Sequence, residues 1–161
     1  MKGLLTWRGH AWLALPLRWY LGLVFLVACW HKILHPASFA LDVATYDVLP
    51  LVFVNFMAIT LPWVELAAGV MLIVGFKARA GSLLVAGMMI VFIIALLMAM
   101  AKGLDMSCGC FASQGMEEDP ISGWTVLRDL GWLAGSLYVF LFDRRPLGVD
   151  AWLARRRESN A

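Results

Sequence analysis

From Ala80 to Ala101 the chain carries no charged residue. Such a run is too long and too uniformly apolar for most water-soluble cores. A helix rises about 1.5 Å per residue, so roughly 20 residues cross a hydrocarbon layer of about 30 Å. Three further stretches have the same character, and the four are expected as helices at about 17–34 (with an earlier start nearer Ala11 left open), 49–76, 78–101 and 121–142. Composition agrees, because 62% of the 161 residues are hydrophobic and 15% charged, against about 45–50% and about 25% in soluble domains. Membrane strands would be shorter and would alternate in polarity, and single strands cannot satisfy their backbone groups in lipid. The expected fold is therefore all-α, a single integral-membrane four-helix bundle over 1–161. Its surroundings are the lipid bilayer, and no basic stripe or motif points to nucleic acid.

Lys2 and Arg8 precede the first apolar run, as in a secretory leader. The run closes on Trp30, His31 and Lys32 rather than on a small-residue cleavage site, so an uncleaved first helix is expected. Pro62 lies within the second run and predicts a local kink. Sidedness follows from Lys and Arg. Lys2, Arg8, Arg18, Lys77, Arg79, Arg144, Arg145, Arg155, Arg156 and Arg157 fall on one side of the predicted spans, against Lys32, Lys102 and Arg128 on the other. This bias predicts both termini in the cytoplasm and the 1–2 and 3–4 loops outside.

The 3–4 loop carries "DMSCGCFASQG", with Cys108 and Cys110 one residue apart. Outside a bacterial inner membrane, thiols meet an oxidising compartment. A Cys-Gly-Cys bridge closes a small ring, which Gly109 tolerates through its backbone freedom. Strained or exposed disulfides are more oxidising, which suits thiol exchange. One sulfur can form a mixed disulfide while another resolves it. Lys102 and Arg128 favour the thiolate and Asp105 opposes it. Two other readings stand beside this one: a structural bridge, and metal ligation by His31, His35, Cys108 and Cys110. No metal is expected, since Cys-x-Cys is not the usual structural-zinc spacing. Cys29, near the outer end of the first helix, reads most simply as a small buried hydrophobe, or as a relay to the pair.

Glu65 lies in the middle of the second run, where a charge costs about 2.5–3.5 kcal/mol on insertion scales. Arg18 is its expected partner, either to fix helix order or to handle protons or a quinone. Arg128, Asp129 and Trp124 sit about two turns or less into the fourth helix, at the level of the cysteine loop. Arg128 and Trp124 are the expected quinone contacts, although Arg128 can equally snorkel to head groups. The remaining tryptophans read as interfacial or packing residues.

Taken in order, "HKILHPASFA", "LPWVELAAG", "CGCF" and "TVLRD" resemble the MauE family of methylamine-utilisation proteins, within the broader DoxX-like membrane proteins. The resemblance covers nearly all of 17–142. It implies a four-helix inner-membrane bundle engaged in periplasmic thiol–disulfide chemistry. A thioredoxin-like partner and the maturation of disulfide-rich methylamine dehydrogenase are implied with it. Cys108 and Cys110 match the family's cysteine pair, and Lys32, Glu65, Arg128 and Asp129 match its other signature positions. DoxX-like relatives include subunits of quinone-linked sulfur oxidoreductases. The expected activity is thus electron exchange between a periplasmic thioredoxin-like protein and the quinone pool, in a homo- or hetero-oligomer. The rival is a non-catalytic membrane subunit of a quinone-linked sulfur oxidoreductase or of a metal-handling complex.

Overall fold

The computed structural model describes residues 9–47, 50–104, 122–143 and 148–159. Six helices form among them: α1 His10–Leu34, α2 Pro36–Thr45, α3 Leu51–Val74, α4 Ala78–Ala101, α5 Gly123–Phe142 and α6 Val149–Ser159. Four of these, α1, α3, α4 and α5, are long and apolar enough to cross a membrane. The expected spans are met to within a few residues, with α1 starting at His10, close to the earlier of its two expected starts, and running through Pro16.

The chain's punctuation explains the boundaries. α1 stops at His35, which adopts φ −127° and ψ 63° before Pro36, because a residue preceding proline is pushed out of the helical region. Pro36 then opens α2 at its first turn, where a missing N–H costs nothing. Gly75 ends α3 at φ +71°, with its N–H on the carbonyl of Met71. Phe76 N–H reaches the same carbonyl at 3.2 Å, closing the helix as a left-handed glycine cap does. This turn is so short that α3 and α4 must run antiparallel.

The membrane helices close a ring in the order α1, α3, α4, α5 and back to α1, with α2 laid against α3. Leu21, Phe25, Ala68, Leu72, Val85, Met89 and Val139 fill its centre. A second cluster of Tyr46, Leu96 and Ala99, joined by Phe92, Leu104 and Val126, closes the far end. α1 and α3 approach backbone to backbone: a Cβ on Gly22 would lie 3.0 Å from the carbonyl of Gly69, and the reverse holds too. Small residues permit this in lipid, where packing replaces the hydrophobic drive between helices.

Polarity is distributed inside out. Leu23, Val27, Phe53, Phe56, Ile59, Val91, Ile94 and Leu141 point outward, while Arg18, Lys32, Glu65, Ser82, Thr125, Asp129 and Ser136 are buried. That is the arrangement expected of a multi-pass membrane protein. One end of the bundle gathers Arg18, Lys77, Arg79, Asp143 and Asp150 around a cavity of about 310 Å³. The described beginning of α1 and the tail helix α6 share this end, and Asp150 N–H donates to the carbonyl of Gly75. The opposite end carries α2, Lys102, Leu104 and Ser122.

Candidate functional site

Two buried ion pairs organise the interior, and neither is the Arg18–Glu65 pair expected from the sequence. Arg18 Nη1 lies 3.0 Å from Asp143 Oδ2, and Lys32 Nζ lies 2.7 Å from Glu65 Oε1. The correction has a geometric cause. Side chains lean toward the N-terminus of their own helix. α1 and α3 are antiparallel with Gly22 facing Gly69, so Lys32 and Glu65 lean toward one another. Arg18 leans toward the same α1 N-terminus as Lys32 but starts beyond the level of Glu65. It therefore leads away from that residue to the level of Gly75, where its guanidinium lies 3.1–3.2 Å from the position a Gly75 Cβ would take. Glu65 is ten residues from Gly75, about 15 Å along a helix, beyond an arginine's reach.

The Lys32–Glu65 pair is enclosed. Both residues are buried, and Lys32 Nζ stands 4.9 Å from the centroid of the Phe39 ring on α2. Glu65 Oε2 is buried and meets no hydrogen-bond partner among the described residues. Cys29 lies one turn before Lys32 on α1, is 1% exposed, and is a free thiol. Its Sγ donates to the carbonyl of Leu26 at 3.2 Å, a weak bond of a small core residue.

On α5, Asp129 is fully buried and accepts from Arg128 Nε at 3.4 Å. The Arg128 guanidinium also lies 4.9 Å over the Trp132 ring, a cation–π placement. Ser122 and Thr125 hydroxyls stand 3.3 Å apart in the first turn. Trp124 projects outward at 73% exposure, so it does not join Arg128 in an enclosed pocket. Lys102, expected to favour the cysteine thiolates, donates to Asp47 Oδ2 at 2.9 Å and to the carbonyl of Asp47 at 2.6 Å. The His31 and His35 rings lie 4.4 Å apart, one helical turn along α1. Among the described residues no third histidine, cysteine or carboxylate completes a metal-binding group with them. Asp105, Cys108 and Cys110 lie outside the described residues.

Asp42 on α2 belongs to the same end. Burial pushes its carboxyl above the usual carboxylate range, and His31 and Lys32 pull it partly back. With a raised folded pKa, the stability tied to its proton is fully present in acid below the ordinary carboxylate pKa. It is lost as pH rises through the folded value. Asp42→Asn should therefore melt at a higher temperature than the parent at neutral pH and at the same temperature near pH 3, read from thermal unfolding in detergent.

A family model for the methylamine utilisation protein MauE matches residues 10–142, from the first turn of α1 to the last of α5. The chain belongs to the MauE family. Methylamine utilization protein MauE of Paracoccus denitrificans is 35% identical over 115 residues, which are 71% of this chain and 61% of that protein. This MauE-family chain thus spans less than two thirds of the length of that relative. No solved structure gives a significant match. The family match takes in all four membrane spans and the Lys32–Glu65 pair, stops one residue short of Asp143, and leaves out α6. Sequence reasoning missed Lys32–Glu65 as a pair, although it had singled out each residue. The missing signal was the direction in which side chains on antiparallel helices lean.

Proposed function

We propose that this MauE-family protein is a membrane thiol–disulfide oxidoreductase of the bacterial inner membrane. It exchanges electrons between a periplasmic thioredoxin-like partner and the quinone pool. The observation that carries this reading is the Cys108-Gly109-Cys110 sequence. It falls in the connection between α4 and α5, whose described flanks Leu104 and Ser122 sit opposite the basic end. Basic residues accumulate on the cytoplasmic side of membrane proteins, so the basic end is read as cytoplasmic and the cysteine connection as periplasmic. The P. denitrificans relative is named for methylamine utilisation. We carry that setting over as support for disulfide maturation of a periplasmic enzyme of the methylamine dehydrogenase type.

A thiolate of the partner attacks one sulfur of the Cys108–Cys110 disulfide and forms a mixed disulfide. The partner's second thiol displaces it, leaving the partner oxidised and Cys108 and Cys110 reduced. Two electrons and two protons have then passed to this chain. A quinone supplies the two-electron, two-proton acceptor that returns the pair to the disulfide. Cys108→Ser/Cys110→Ser should accumulate in the membrane at the parental level and lose at least 100-fold in exchange with a thioredoxin-like dithiol. Unchanged exchange overturns the reading. So does a Cys108–Cys110 potential below about −300 mV, the range of structural bridges.

A further inference from the structure

An apolar groove of about 530 Å³ opens on the flank of the bundle between α2, α3 and α4. On α4 it runs from Leu83 to Met98, roughly 22 Å at the helical rise. At Gly87 the groove is open down to the α4 backbone, because a Cβ there would meet no atom within 4 Å. Gly87 therefore differs from Gly22, Gly69 and Gly81, whose missing side chains admit a neighbouring helix. Toward the periplasmic end the walls turn aromatic, with Phe39, Tyr46 and Phe92 all lining the groove. The Tyr46 and Phe92 rings meet edge to face at 6.2 Å.

Two further features mark this aromatic end. Phe39 is shared with the buried Lys32–Glu65 pair, which brings ionisable groups to within one ring of the groove. Leu104, four residues before Cys108 in the chain, packs against the Tyr46 cluster. A plain acyl chain needs neither aromatic walls nor nearby proton carriers. A ring-headed, prenylated molecule uses both, with aromatic faces to stack on and a long apolar channel for its tail.

We propose that this groove seats a lipid quinone, its ring among Phe39, Tyr46 and Phe92 and its prenyl chain over Gly87 toward Leu83. The proposal rests on the quinone-linked reading above and gives its acceptor a place away from the Arg128 and Trp124 surface. A dithiol that closes to a disulfide gives up two electrons and two protons. The quinone takes up both and becomes a quinol. Among the described residues, Lys32 Nζ and Glu65 lie one ring from the aromatic end and can hold protons there.

The test is binding of decylubiquinone to the full chain in lipid nanodiscs, read by quenching of intrinsic fluorescence, with decanol as the tail-only competitor. The parent should bind saturably, and decanol should compete at least 20-fold more weakly than a second quinone. Gly87→Leu places its Cβ where no neighbouring atom lies within 4 Å and extends into the groove, and Leu84→Trp narrows the same channel. Each should fold as the parent does and weaken decylubiquinone at least 10-fold. Affinity unchanged in both variants overturns the seat, and so does decanol competing as well as the quinone, the mark of an ordinary acyl-chain groove. Cys108→Ser/Cys110→Ser should bind decylubiquinone normally. If the groove variants bind normally while thiol oxidation still depends on quinone, the seat is wrong and the oxidoreductase reading stands. If quinone binds in the groove but the cysteine pair exchanges with no dithiol, the reverse holds.

Discussion

Glu65→Leu alone is expected to destabilise the bundle by about 3–5 kcal/mol, the range for stranding one member of a buried ion pair. Lys32 is buried, and its ammonium is 2.7 Å from Glu65 Oε1 and 4.9 Å from the centroid of the Phe39 ring. Without the carboxylate it must either give up its proton or drag water into an apolar interior. Lys32→Met alone should cost a similar amount by leaving Glu65 with neither oxygen paired. The double variant Lys32→Met/Glu65→Leu should recover to within about 1 kcal/mol of the parent, because apolar groups of similar volume replace a buried pair with little loss. Glu65 Oε2 has no partner among the described residues, so the pair has no wider network there to lose. Thermal unfolding of the four proteins in one detergent gives the double-mutant cycle. Full additivity of the two single losses would show that the pair is not coupled.

The four spans were legible because length and apolarity in lipid leave a helix almost no alternative. The start of α1 was legible only as a choice between Ala11 and residue 17, since Pro16 and Arg18 look like a boundary. Arg18 is in fact buried against Asp143, so the helix continues past it to His10. α2 was read as plain loop although "HPASFALDVAT" carries the sign of its start, a proline at the first helical turn. Ten residues of helix are too few to stand out by length beside spans of 20 or more. Lys32, Glu65, Arg128 and Asp129 were each recognisable by position in the motif fragments. Their partners were not, because pairing depends on register and on the lean of each side chain, and a single sequence fixes neither. The Gly22–Gly69 approach sets the register, and its two glycines are 47 residues apart in the chain.

The second buried pair should behave differently from the first. Arg18→Met removes the buried guanidinium beside Asp143 and is expected to cost about 3–5 kcal/mol, as for Lys32. Here the compensated double variant Arg18→Met/Asp143→Leu should recover less than half of that loss. Arg18 and Asp143 each take part in interactions besides their mutual 3.0 Å bond, so replacing both leaves other groups wanting. The pair also stands where four segments meet: the start of α1, the Gly75 turn, the first turn of α4 and the end of α5. Gly148 backs directly onto Gly75, and Asp150 N–H holds the same turn. Loss of the guanidinium should therefore loosen α6 as well as the bundle. Amide exchange at Asp150 and Trp152 should quicken at least 10-fold in Arg18→Met, while exchange in the middle of α3 rises only with global unfolding. Recovery of the double variant to parental stability, with protected α6 amides, would reduce Arg18–Asp143 to an isolated pair like Lys32–Glu65. The contrast between the two cycles separates a self-contained polar centre near the α2 end from an anchor that ties the basic end of the bundle to its tail.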